Sequence, residues 1–159
     1  MSVRQVIERQ GAKSLALHHH LGGLGELRVR IFCRPDGCLN PQVAGARIDG
    51  WFYCPHHPRA VIDTLRIDCD CRKPFGGMVR RAQERFDLDL ARSFVVGDKM
   101  TDVGLATTIG ARGILLRTGH GEGELRRAGG TVPGAAFVAD NLMDATSWML
   151  GEAVLAATV

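Results

Sequence analysis

No apolar run in this chain approaches the ~20 residues needed to span a membrane, and its first residues lack the charged-then-apolar make-up of a secretory leader. The five cysteines are an odd number, which with no leader argues against the disulfide framework of small secreted domains. A cytoplasmic protein is therefore expected. A strong charge of either sign is missing too: 20 Lys and Arg are interspersed with 17 Asp and Glu for a net +3, too little to imply nucleic acid as a partner. The first 45 residues sustain neither the helical nor the strand period, and Gly22, Gly23 and Gly25 lack the G-x-G-x-x-G spacing of a dinucleotide loop, so these glycines are assigned to loop. What remains is an ordinary globular composition, 45% hydrophobic and 23% charged over 159 residues, of a size to bury one core.

Against this plain background one stretch stands out. Cys54-Pro55-His56-His57-Pro58 is followed, after twelve intervening residues counted from His56, by Cys69-Asp70-Cys71-Arg72-Lys73-Pro74. The C-x-H and C-x-C pairs offer four soft ligands, the number a closed tetrahedral zinc site requires, and free cysteines rarely fall as C-x-C without a metal or redox task. Cys54, His56, Cys69 and Cys71 are read as one structural zinc site, with unrelated buried thiols and a surface histidine as the plainer alternative. His57, directly before Pro58, is expected in a solvated loop, as is the His18-His19-His20 run. The spacing does not fit a finger that reads nucleic acid, which uses C-x2-4-C and H-x3-5-H around a recognition helix. The polypeptide runs straight on into Arg72-Lys73, and cations held rigidly at the edge of a fold are a means of binding phosphate.

Upstream of that stretch, residues 2–9 can open a short helix, and residues 27–32 alternate apolar and basic side chains as a strand does. A turn-rich segment follows with Cys33 and Cys38 as ordinary thiols; residues 45–50 form a turn, and Trp51-Phe52-Tyr53 reads as a short aromatic strand delivering Cys54. From Pro74 the pattern becomes regular. Met78, Val79, Ala82 and Phe86 recur at helical spacing and predict an amphipathic helix over about 76–87. Short apolar runs at 93–96, 113–117 and 135–138 read as buried parallel strands. Helices are predicted between them at 101–109, closed by Gly110, and at 122–128, after a loop at 118–121. A last helix contains Leu142, Met143, Ala145, Trp148 and Met149, capped by Asp140 or Asn141. This alternation argues for an α/β fold with a parallel sheet.

Ligands of such a sheet bind beyond the C-terminal ends of its strands, so Arg72-Lys73 and Asp98-Lys99 are expected to converge on one crevice. Asp98, a carboxylate at a strand end with glycine before it and a cation after it, suits a magnesium ion beside a phosphate. Asp102 lies in the first helical turn and either supports that ion or serves only as an N-terminal helix residue.

Taken together, CPHHP, CDCRKP and FVVGDKMTD, in this order and spacing over about residues 44–138, resemble the haloacid dehalogenase-like phosphatases. Within them they resemble the D-glycero-D-manno-heptose-1,7-bisphosphate 7-phosphatase group with its zinc loop; a histidinol-phosphate phosphatase carries a comparable loop. The resemblance implies a Rossmann-like parallel sheet flanked by helices over residues 46–159, preceded by an atypical segment at 1–45. By the same resemblance, Cys54, His56, Cys69 and Cys71 are the zinc ligands, Arg72 recognises the substrate and its phosphoryl group, and Lys73 stabilises a phosphoaspartate. Asp98 is then a magnesium ligand and Lys99 a substrate contact.

Two departures from the family pattern bear on catalysis. The nearest match to its D-x-D-G-[VIT]-[LI]-N motif is Arg34-Pro35-Asp36-Gly37-Cys38-Leu39-Asn40. It keeps the general acid/base position as Asp36 and places Arg34 at the nucleophile, and a guanidinium that stays protonated cannot attack phosphorus. Only thirteen residues separate Asn40 from Cys54, where the family places several dozen with a T-N-Q-S-G-like phosphate-binding motif. Either that segment is lost, or residues 1 to about 44 are unrelated sequence joined to a phosphatase C-terminal half. The expectation is a sugar-bisphosphate phosphatase of carbohydrate metabolism, with heptose bisphosphate preferred and impaired for want of its nucleophile. The alternatives are a histidinol-phosphate phosphatase and a non-catalytic zinc-stabilised domain that binds phosphorylated ligands.

Overall fold

The computed structural model describes residues 14–18, 21–22, 26–27, 49–50 and 52–157, with side chains at 49–50 and 52–152. The expected helix at 2–9, all but the first residue of the strand at 27–32, and Cys33, Arg34, Asp36, Cys38 and Trp51 lie outside the described residues.

Three apolar runs make the parallel part of the sheet, the first two largely buried and the third only at its end. Strand β4, Ser93–Gly97, is buried throughout; it pairs in parallel with β5, Arg112–Leu116, which pairs in parallel with β6, Ala135–Ala139. Parallel neighbours need crossover connections, and helices supply them: α2, Met100–Ile109, between β4 and β5, and α3, Gly121–Arg127, between β5 and β6. Helix α1, Gly77–Arg85, precedes β4 and α4, Leu142–Ala157, follows β6. The predicted strands and helices of this half fall within a few residues of those observed.

Because successive strand side chains point to opposite faces, one apolar run feeds two cores. Phe94 and Val96 of β4 join Ile114, Leu116 and Ala139 on one face, covered by Ala145, Trp148 and Met149 of α4. Val95 faces the other way, against Leu105 and Ala106 of α2 and Val79 of α1. Helix α2 rests directly on β5: a Cβ on Gly113 would lie 3.2 Å from the Cβ of Ala106 and 3.3 Å from the backbone of Val103. Gly110 closes α2 in the left-handed conformation at φ +72°, and the Ala111 amide donates back to the Ala106 carbonyl at 2.9 Å. Asn141 supplies the α4 cap, its Oδ1 accepting the Asp144 N–H at 3.0 Å.

The early chain departs from the sequence pattern. Strand β1, Ser14–His18, lies beside β4 and runs antiparallel to it, so among the described residues three of the sheet's four strands are parallel. Gly22, expected in a loop, belongs to β2, Leu21–Gly22, a two-residue ladder with β3, Glu26–Leu27. Phe52 and Tyr53 form no strand; Phe52 instead packs edge-on against Phe86 at 6.3 Å, so an aromatic pair and not a ladder holds this approach to Cys54. Among the described residues no helix is long and apolar enough to cross a membrane.

Trp148 joins α4 to the sheet. Its ring stacks on Phe137 with centroids 5.0 Å apart, meets Phe94 edge-on at 6.0 Å, and lies 4.7 Å from the Arg112 guanidinium. Trp148→Ala is expected to cost about 3 kcal/mol of unfolding free energy by denaturant titration; a loss below ~1 kcal/mol would show that the α4 face does not depend on this ring.

Candidate metal centre and phosphate-binding edge

Residues 54–71 fold as a loop that returns on itself. The His57 N–H donates to the Leu65 carbonyl and the Ala60 N–H to the His57 carbonyl, both at 2.9 Å, around a single 3-10 turn at Asp63–Leu65. His57 Nδ1 accepts the Arg59 N–H at 3.0 Å, so this ring braces the loop and is not among the clustered ligands. The closed loop brings its two ends, and the four expected ligands, together. Cys69 Sγ lies 3.5 Å from Cys54 Sγ and 3.3 Å from Cys71 Sγ, and His56 Nδ1 lies 3.4 Å from Cys71 Sγ and 3.9 Å from Cys54 Sγ.

All four donor atoms sit within 4.8 Å of one another. A tetrahedral ion with ~2.3 Å bonds to sulfur and ~2.0–2.1 Å bonds to nitrogen has ligand–ligand edges of roughly 3.5–3.8 Å, so the cluster fits one. Its thiols are electrostatically linked. Burial pushes the Cys71 thiol up to about 12, reinforced by Cys54 and Cys69. Burial raises Cys69 as well, but hydrogen bonds from Cys71, His56, Cys54 and the Arg72 backbone outweigh it and bring that thiol down to about 6. One thiolate is thus favoured while a second is opposed, and a bound cation removes that opposition.

The cluster hands its order to the residues that follow. Arg72 Nη1 donates to the His56 carbonyl at 3.1 Å, and the Phe75 N–H to the Arg72 carbonyl at 2.9 Å. The Gly77 N–H donates to the Asp70 carbonyl at 2.9 Å, and a Cβ on Gly77 would come within 2.6 Å of Asp70, so α1 starts directly on the loop. On the far side, a Cβ on Gly104 would lie 3.0 Å from Pro74, which seats the loop on α2.

That contact brings Lys73 to Asp102. Lys73 Nζ forms an ion pair with Asp102 Oδ1, whose carboxylate is fully buried and whose Oδ2 accepts the Lys99 N–H at 3.2 Å. Asp102 is therefore both an N-terminal helix residue and the partner of the loop's lysine. Asp98, at the end of β4, is 4% exposed; its Oδ2 accepts the His120 N–H at 3.1 Å, and among the described residues its Oδ1 accepts no hydrogen bond. A buried carboxylate oxygen in that state is suited to a cation. Lys99 is exposed beside it. The structure thus joins the Arg72-Lys73 and Asp98-Lys99 segments through Asp102, whereas Asp36 lies outside the described residues.

Glu124 was not singled out by sequence. Its Oε2 accepts the Met100 N–H at 3.3 Å and ties α3 to the start of α2. The Arg127 hydrogen bond, aided by the Met100 amide and the charges of Arg127 and Lys99, holds its carboxyl below the usual range against desolvation. A folded-state value below the unfolded one stabilises the fold above the unfolded carboxylate range, and that stabilisation disappears as pH falls through the folded value. Glu124→Gln should therefore lower the melting temperature at neutral pH and lose its effect in acid; an equal deficit at both pH values would assign the loss to shape and not to charge.

Known proteins resemble this chain over the same region. The HAD-hydrolase-like family profile matches residues 70–145. D-glycero-beta-D-manno-heptose-1,7-bisphosphate 7-phosphatase of Photorhabdus laumondii is 46% identical over 77 residues, 47% of this chain and 40% of the relative. The same-named protein of Vibrio cholerae is 38% identical over 107 residues, 67% of this chain and 55% of the relative. The crystal structure of a D,D-heptose 1,7-bisphosphate phosphatase from B. bronchiseptica, complexed with magnesium and phosphate, superposes with a TM-score of 0.57 at 34% identity, covering 70% of this chain and 57% of that one. The chain spans about half the length of the curated relatives it matches. The sequence resemblance is borne out as similarity: residues 70–145 match the HAD-hydrolase-like profile, and the chain is similar to heptose-bisphosphate phosphatases over part of their length.

Proposed function

We propose that this chain, haloacid dehalogenase-like over residues 70–145, is the core of a phosphatase acting on a phosphomonoester of a sugar bisphosphate, with D-glycero-D-manno-heptose 1,7-bisphosphate as the preferred substrate. The observation that carries this proposal is the placement of Lys73, delivered by the metal-ligand loop and ion-paired to Asp102 one turn into the helix that follows Asp98. The names of the relatives supply the substrate class.

In this scheme Cys54, His56, Cys69 and Cys71 hold zinc, and Asp98 contributes to a magnesium site. Zinc supplies a rigid corner for the loop and magnesium supplies positive charge for phosphoryl oxygens. Everything else falls to the chain's own side chains. Asp102 holds the Lys73 ammonium in place through their ion pair, so that it meets a phosphoryl group without first reorganising. Arg72 uses one donor on the His56 carbonyl and has others for phosphate oxygens. Lys99 offers an exposed ammonium to the rest of the substrate, and Asp36 is the proposed acid/base. A cytoplasmic setting accompanies this proposal, supported by a cluster whose ligand thiols must stay reduced, and the modest net charge supports a small phosphorylated partner over nucleic acid.

Arg34 at the nucleophile position favours a second possibility, a zinc-stabilised domain that binds phosphorylated ligands without turning them over. Phosphate release from heptose 1,7-bisphosphate, with histidinol phosphate for comparison, separates the two. The expected result is magnesium-dependent release that falls ~100-fold or more in Lys73→Ala. Equal background rates in both proteins, with substrate still bound, would replace catalysis by binding.

A further inference from the structure

We infer that Gly119 and the backbone amide of His120 position the Asp98 carboxylate for the cation proposed above, making the 118–121 turn part of the site's machinery. The inference rests on the proposed role of Asp98 as a cation ligand and adds which residues aim it. Three observations converge. The His120 N–H holds Asp98 Oδ2 at 3.1 Å, which commits one carboxylate oxygen and leaves Oδ1, buried and accepting no hydrogen bond among the described residues, as the one available to an ion.

Gly119 occupies the left-handed region at φ +63°, and a Cβ placed there would overlap Asp98 Oδ2 and lie 3.3 Å from its Cγ. The turn is also pressed onto the sheet: a Cβ on Gly121 would overlap the Leu116 carbonyl oxygen, while the Gly121 N–H donates to the Thr118 carbonyl at 3.1 Å. The end of β5 therefore delivers a turn whose backbone is shaped around the carboxylate at the end of β4. Any side chain at 119 would both strain the turn and push that carboxylate away from its present direction. Partners that orient a metal ligand characteristically change metal affinity ~10–100-fold when removed.

The two effects of a substitution at 119 can be separated within this chain. Gly129 has nearly the same conformation, φ +70°, and a Cβ there would meet nothing within 4 Å, so Gly129→Ala carries the backbone strain alone. His120, at φ −84°, accepts proline's restricted φ, so His120→Pro deletes the N–H donor and puts a ring carbon in its place against Asp98 Oδ2. The full chain, loaded with zinc, is titrated with Mn2+ and free Mn2+ is followed by electron paramagnetic resonance, with thermal melting and zinc content measured on each variant.

Wild type and Gly129→Ala are expected to bind Mn2+ alike, Asp98→Asn to lose that binding, and Gly119→Ala and His120→Pro to bind ~10–100-fold more weakly with zinc retained. If Gly119→Ala fails to melt cooperatively, His120→Pro decides. Loss in Asp98→Asn together with wild-type affinity in His120→Pro and in folded Gly119→Ala would overturn the positioning role and leave Asp98 as ligand. Wild-type affinity in Asp98→Asn would overturn both.

Discussion

The ion pair between Lys73 and Asp102 joins segments 29 residues apart, and the arrangement of the site depends on it. A buried carboxylate is stable only when a partner compensates its lost hydration, and Asp102 has the lysine on one oxygen and the Lys99 amide on the other. Space for it exists because Gly97 has no side chain; a Cβ there would overlap the Asp102 carboxylate. Loop, strand end and helix start therefore meet at one group, and displacing the loop removes the lysine that balances its buried charge.

Each side of that contact is fixed from behind by different physics. On the loop side the restraint is ligand chemistry: four donor atoms gathered within 4.8 Å, with hydrogen bonds donated by Arg72 to the His56 carbonyl and by the Gly77 N–H to the Asp70 carbonyl. On the sheet side it is packing: β4 is buried on both faces, with Val95 under α2 and Phe94 and Val96 under α4. A flexible ammonium between two rigid bodies acquires a defined position that neither body alone would impose. That is the preorganisation on which binding a phosphoryl group by charge relies.

Much of this was legible in the sequence wherever one local rule sufficed. Four soft ligands in close register announced the cluster, the apolar runs at 93–96, 113–117 and 135–138 announced parallel strands, although the third is only partly buried, and Gly110 announced a helix end. What escaped was set by partners distant in the chain. Ser14–His18 has no long period of its own and is a strand because β4 offers it an edge. Phe52 and Tyr53 have aromatic strand propensity but no ladder to join, and the ring of Phe86 settles Phe52 instead. Asp102 announced a helix start without revealing that Lys73 would neutralise it, and Gly119 read as a plain loop glycine because the carboxylate it makes room for lies 21 residues earlier.

The most direct test of whether the clustered ligands order the lysine-bearing edge is hydrogen exchange at the amides of Phe75, Gly77, Lys99 and Asp102 in zinc-loaded and chelator-treated protein. Slow exchange at all four with zinc, and loss of protection at Phe75 and Gly77 without it while β5 stays protected, is the result this account predicts. Unchanged protection of those two amides after complete metal removal would contradict it, because the edge would then be ordered independently of the cluster.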